Sequence, residues 1–283
     1  MDEITAGAVW RSLPRRDPAG HKGMFGKVMC LCGCVGFTGA PVFASRAAVR
    51  TGSGLVVSRC SGGHLAGGRG QERRGHAISA TGWDGKLACA GEEEIRRRAA
   101  GCDAVLIGCG LGRSDESDRL VRSLLDLPRP LVLDADGINA VSGTMELLSV
   151  RRGRVTVLTP HEGGVPARGR RPDAGARGSG TPLRAAARGV SDPQGPPDGH
   201  HRAGRALRRE SDGKRRDGQG RQRRRALRMV LSLLGQGMEP FAACCAAAFL
   251  HGRAGDLAAR ELGERGMTPS DLLERIPRAF LSL

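Results

Sequence analysis

The chain has 283 residues, 39% of them hydrophobic and 3% aromatic with no tyrosine, which suits one α/β domain or two small ones and permits a sizeable core. Its formal net charge of +16 would ordinarily point to a nucleic-acid or membrane-surface partner. Roughly +12 of that charge lies between Val165 and Arg228, so the basic character belongs to one segment and a nucleic-acid partner is not expected of the fold.

From Gly26 to Val150 short apolar runs alternate with amphipathic ones. Lys27–Leu31 predicts a strand, Gly33–Gly39 a glycine-rich turn, Ala40–Thr51 a helix and Leu55–Ser58 a second strand. Cys30, Cys32 and Cys34 alternate along the first strand; Cys32 is expected to face away from the other two, as buried thiols rather than a metal site. Glu92–Ala100 predicts a helix and Ala104–Ile107 a strand that ends in Gly108-Cys-Gly-Leu-Gly112. Ser114 is a good N-cap for a helix running to about Asp126, with Asp115 and Glu116 in its first turn. Leu131–Leu133 predicts a strand ending at Asp134, and Val155–Leu158 another ending at Thr159-Pro160-His161. Met229–Leu234 and Phe241–Ala259 predict helices, with Cys244 and Cys245 as packing residues. Thr268-Pro-Ser-Asp271 opens a last helix with proline in its first turn.

Strand–helix alternation of this kind indicates an α/β fold with a mostly parallel sheet. Such sheets bind ligands off the carboxyl ends of their strands. Gly108–Gly112, Asp134–Asn139 and Thr159–Glu162 all fall there. Asp134 and Asp136 suggest a metal pair, but alternation along a strand is expected to point them apart, and structural capping near Asn139 competes with that reading. Nine cysteines without framework spacing point to a reducing, cytoplasmic compartment. There is no signal peptide and no apolar run of ~18 residues, so neither export nor membrane insertion is expected.

Six motifs in chain order carry a family resemblance. They are His21-Lys-Gly-Met-Phe-Gly-Lys-Val28, Gly36-Phe-Thr-Gly-Ala40, Ile107-Gly-Cys-Gly-Leu-Gly112, Leu131-Val-Leu-Asp-Ala-Asp-Gly-Ile-Asn139, Leu158-Thr-Pro-His-Glu-Gly163 and Gly266-Met-Thr-Pro-Ser-Asp-Leu272. Singly each is weak; together they resemble the ADP/ATP-dependent NAD(P)H-hydrate dehydratases, with Cys109 standing where that family usually has proline. The resemblance implies a ribokinase-like three-layer fold with a mostly parallel central sheet. It also implies phosphorylation of the hydroxyl of hydrated NADH or NADPH, followed by phosphate elimination, a hydro-lyase repair reaction on the S-epimer. ADP or ATP would be the phosphoryl donor, with Mg2+. Ala40, Gly110 and His161 would line the dinucleotide site, with Lys22, Gly39, Gly112, Asp134, Asn139 and Glu162 in support. Plain turn glycines, an N-cap turn around Thr38 and a surface histidine are the competing readings of the same residues. The resemblance further implies a homo-oligomer and a working partnership with an NAD(P)H-hydrate epimerase, whose domain is expected to be absent from the stretch ahead of His21. A small-molecule kinase of the same fold is the alternative enzyme. A basic nucleic-acid-binding protein is the alternative of another class, although aromatics for base stacking are not interleaved in the arginine-rich run.

Two stretches, about 59–81 and 164–228, do not read like the family. Its lysine–glycine segment and GGSGD loop, which would hold the nucleotide within 194–225 and supply the catalytic aspartate, are missing, and the C-terminal part of the fold is expected to be disrupted. Gly220–Arg225 can, however, be encoded so that reading one base later gives GGSGD, and Glu210–Gln219 so that it gives NPTGNGGMAK. Gln194–Asp198 likewise allows KGHR, Cys60–Gly67 allows VPEAIWPV and Arg73–Ser79 allows EEAMPFP. The hypothesis is two out-of-frame stretches inside one domain spanning 1–283, each bounded by compensating single-base slips. The family aspartate would then fall at Arg224–Arg225, leaving this polypeptide with no catalytic base. DNA whose codons cannot give GGSGD one base later would sink the idea.

Overall fold

The computed structural model describes residues 4–60, 75–79, 88–159, 186–187 and 228–283. Seven strands form one sheet in the order β3-β2-β1-β4-β5-β6-β7. They are β1 (Lys27–Leu31), β2 (Leu55–Cys60), β3 (Gly75–Ser79), β4 (Ala104–Ile107), β5 (Leu131–Asp134), β6 (Thr156–Thr159) and the two-residue β7 (Ala186–Ala187). All neighbouring pairs are parallel except β6 with β7. The β3 and β7 backbones fall inside the two stretches whose sequence departs from the family pattern, and both pair with the sheet.

The helices are α1 (Ala6–Ser12), α2 (Gly39–Arg50), α3 (Glu92–Ala100), α4 (Asp115–Ser123), α5 (Asp136–Val141), α6 (228–235), α7 (Pro240–Gly266) and α8 (Pro269–Leu281). Alternate strand residues feed two cores, one on each face of the sheet. Val28, Cys30, Ala104 and Leu106 pack with residues of α2, α6, α7 and α8. Met29, Leu31, Val105 and Ile107 pack with residues of α3, α4 and α5. The alternation predicted a mostly parallel α/β sheet, and its two covered faces make the three-layer arrangement that the family resemblance implies.

Cys32 does not turn away from Cys30. Both are fully buried in the core shared with α2 and α6, because residues two apart along extended chain share a face. The reading of these cysteines as buried thiols is consistent with their surroundings: burial pushes the Cys30 thiol up to about 12, with Cys109 beside it adding to the shift.

Local signals set the helix ends. The Ser114 hydroxyl accepts from the Ser117 amide, and the Ser117 side chain returns to the Ser114 amide, a reciprocal capping box. Thr268 and Asp271 make the same box at the start of α8. Helix α7 runs beyond Ala259 to Gly266, with a break at Gly263, and Glu261 in this extension pairs with Arg275 and Arg278 of α8. Beyond the strands, Arg151 is buried among backbone carbonyls. Its guanidinium donates to Leu125, Leu127, Arg129 and Val155 and to the Thr156 hydroxyl. Burial brings its pKa down to about 10.

Candidate active site

The sheet is parallel from β3 to β6, so its strands deliver their loops to one edge. At the exit of β1 the Gly33 N–H donates to the Cys109 carbonyl at 2.9 Å, joining the β1–α2 loop to the loop after β4. The Phe37 N–H donates to the Cys34 carbonyl (2.8 Å), and the Ala40 N–H donates to the Phe37 carbonyl (3.2 Å) as α2 begins.

The loop after β4 depends on glycine at two points. A Cβ on Gly108 (φ +148°) would stand 1.7 Å from the Asp134 carbonyl oxygen, so backbone here passes against backbone. Gly110 has φ +69°, and a Cβ there would be 3.1 Å from the Phe37 Cβ and 3.3 Å from the Ala40 Cβ. Ala40 and Gly110, chosen from sequence as dinucleotide contacts, therefore meet at the carboxyl ends of β1 and β4. Gly39 lies beside them at the first position of α2. The Gly112 N–H donates to Asp136 Oδ2 at 3.1 Å.

Asp134 ends β5 fully buried. It accepts from the Cys109 thiol and from the Thr159 hydroxyl, both at 2.9 Å, so one carboxylate ties the loop after β4 to the end of β6. Asp136 accepts from Gly112 and, at 3.4 Å, from the Asn139 amide. The two aspartates do point to different partners, but not through strand alternation. The chain turns between them at Ala135, whose φ of 44° is the one positive value for a non-glycine among the described residues. Strain of that kind is tolerated where surrounding contacts over-determine the backbone. Asn139 does not cap α5, whose N-cap Ala135 has no side-chain cap bond; its side chain donates to the Asp136 carboxylate within the same helix.

The Cys109 thiol is pushed well up, first by the neighbouring Cys32 thiol and then by burial. It is a hydrogen-bond donor here, not a nucleophile. Arg228, at the start of the described part of α6, is buried, lies with its guanidinium 6.0 Å from the Phe43 ring centre, and has an Nε without a hydrogen-bond partner.

Lys22 is not brought to this edge. It opens the short helical turn Lys22–Phe25 ahead of β1, and its carbonyl packs against Gly54 ahead of β2. That is the amino end of the sheet. His161, Glu162, the 194–225 stretch and the Arg224–Arg225 junction lie outside the described residues. Among the described residues, no three His, Cys, Asp or Glu side chains group as metal ligands, and no helix is long and apolar enough to cross a membrane.

Sequence reasoning missed Phe37, the Cys109–Asp134 bond and the buried Arg228. The signal for the second was the thiol at position 109, which can donate a hydrogen bond where the usual proline cannot. Phe37 and Arg228 gave no periodic signal, since each depends on long-range packing.

Residues 28–165 match the family model described as NAD(P)H-hydrate dehydratase. The chain is 31% identical over 310 residues to the bifunctional NAD(P)H-hydrate repair enzyme of Moorella thermoacetica, covering 99% of this chain and 54% of that protein. It thus spans about half the length of this curated relative. A crystal structure of an ADP/ATP-dependent NAD(P)H-hydrate dehydratase from Bacillus subtilis, co-crystallised with ATP/Mg2+, is similar with a TM-score of 0.57 at 20% identity, covering 98% of this chain and 97% of that one. A ribokinase-like superfamily protein from Enterococcus faecalis is similar with a TM-score of 0.63 at 14% identity, covering 98% and 94%. The fold is ribokinase-like.

Proposed function

The chain belongs, over residues 28–165, to the NAD(P)H-hydrate dehydratase family, and from that membership we propose that its reaction is the ADP- or ATP-dependent dehydration of the S-epimer of hydrated NADH and NADPH. The observation that carries the reading is the meeting of Ala40 and Gly110, 3.3 Å apart when the missing Cβ is placed, at the ligand-binding edge of the sheet.

In this reading the hydrated dinucleotide lies against Ala40 and Gly110. Gly39 lies beside it at the start of α2, Gly112 shapes the loop through its bonds to Asp136 and Ser117, and His161, with Glu162 in support, is the further contact implied by the family motif. Asp134 and Asn139 act on the loops and not on the substrate, because their polar atoms already serve protein partners. The relative from Bacillus subtilis was crystallised with ATP/Mg2+, which supports a nucleotide as the phosphoryl donor when bound. Asp134 and Asp136 are both engaged by protein donors. Among the described residues no carboxylate cluster is arranged as a metal site, and Mg2+ would enter with the phosphates of the nucleotide. A homo-oligomer in a reducing, cytoplasmic setting, working with an NAD(P)H-hydrate epimerase, completes the proposal; the bifunctional name of the Moorella relative supports the partnership.

We further read this polypeptide as one domain over 1–283 whose 164–228 segment is out of frame, and as impaired for that reason. Arginine carries no lone pair to accept a substrate proton at Arg224 or Arg225. Loss of a positioned general base costs about 10²–10⁴-fold in rate. The test is an ADP-dependent assay of hydrated NADPH, read by return of dihydronicotinamide absorbance. It compares the chain as written with a variant carrying KGHR in place of residues 194–198 and NPTGNGGMAKGGSGD in place of residues 210–225. Turnover confined to the variant supports the reading; turnover by neither, with both folded, removes it.

A further inference from the structure

Phe37 stands 61% exposed on the β1–α2 loop. An exposed apolar residue by itself needs no explanation, but this one is placed differently from the others. Its backbone is held at both polar atoms, by Cys34 and Ala40. Its Cβ and Cγ lie 3.1 and 3.6 Å from the position a Gly110 Cβ would take. The side chain therefore leaves the backbone beside Gly110, at the edge where parallel sheets take ligands, with most of its ring open to solvent.

We infer that Phe37 is a stacking platform for the adenine ring of a bound nucleotide. This rests on the dehydratase reading, which supplies two adenine carriers, the hydrated dinucleotide and ADP. The chemistry selects the adenine over the nicotinamide-derived ring. Hydration leaves a tetrahedral carbon bearing the hydroxyl in the nicotinamide-derived ring, so it is no longer flat, whereas adenine offers a full π-face. Stacking on an aromatic side chain is tolerant of base orientation and needs no hydrogen-bond partner.

The experiment titrates NADPH by fluorescence and ADP by calorimetry against the parent chain, Phe37→Ala, Phe37→Leu and Phe37→Tyr. Phe37 is exposed, so the variants should melt with the parent. Stacking predicts that Ala and Leu weaken at least one nucleotide by about tenfold, while Tyr preserves it. The nucleotide that loses affinity identifies the carrier of the stacked adenine. Affinities for both nucleotides unchanged in Ala and Leu would overturn the inference while leaving the dehydratase reading intact. A folded parent that binds neither nucleotide would overturn both.

Discussion

Replacing Gly110 by alanine tests whether the meeting point of α2 and the β4 loop is a binding surface or only a turn. At φ +69° an L-residue is disfavoured by about 1–2 kcal/mol. The added methyl also presses on the Phe37 and Ala40 Cβ atoms at 3.1 and 3.3 Å, contacts that the neighbouring backbone must relieve by a small shift. A loss of about 1–2 kcal/mol leaves a domain of ordinary stability folded. The melting temperature should fall by several degrees, since about 2–4 °C accompanies each kcal/mol in a domain of this size class. Affinity for NADPH should fall more than the stability loss explains, by about tenfold, because the methyl occupies the face on which the dinucleotide is placed. Gly143→Ala is the matched control. Gly143 has φ +86° with nothing within 4 Å of a Cβ, so it should melt lower and bind normally. Fluorescence titration with NADPH beside thermal melts of both variants decides the matter. Undiminished binding by Gly110→Ala, with its melting temperature lowered, would refute the assignment of this face to substrate.

Two other perturbations follow from buried groups. Arg151→Met strands the carbonyls of Leu125, Leu127, Arg129 and Val155. It should destabilise the fold by about 3 kcal/mol, seen as a lower urea midpoint; an unchanged midpoint would contradict the hub role given to this residue. The Cys30 thiol, pushed up by burial from the ordinary thiol range to about 12, contributes stability that is complete below about pH 9 and lost as pH rises toward 12. Stability measured through that window should fall less steeply in Cys30→Ala; an identical slope would count against the assignment.

The fold was legible where its signals are local. The Ser114 and Thr268 boxes announce α4 and α8, and the Ala104–Ile107 and Leu131–Asp134 apolar runs announce two central strands of the sheet. Legibility failed where geometry is set at longer range. The polar end of α7 gives no apolar period, yet Glu261 is held by two arginines of α8. Ala135 looks like a continuation of β5, but the chain reverses there to start α5. Lys22 belongs to a family-like motif but folds to the opposite end of the sheet from Ala40 and Gly110. In the site itself, glycines and loop positions could be found from the strand ends alone. The roles of Cys109, Thr159 and Asp134 could not, since they depend on three loops meeting. Cys32 was a misapplied period, because a two-residue step keeps a side chain on the same face.

On the proposed reading, this chain keeps the dinucleotide-binding half of a dehydratase site and carries arginine, at Arg224–Arg225, where the family base would fall. The most direct measurement compares the chain as written with the variant carrying the one-base-shifted 194–198 and 210–225 segments, in binding of NADPH and in ADP-dependent return of dihydronicotinamide absorbance from hydrated NADPH. The account predicts NADPH binding by both and turnover by the variant alone. Turnover by the chain as written, at a rate matching the variant, would contradict it.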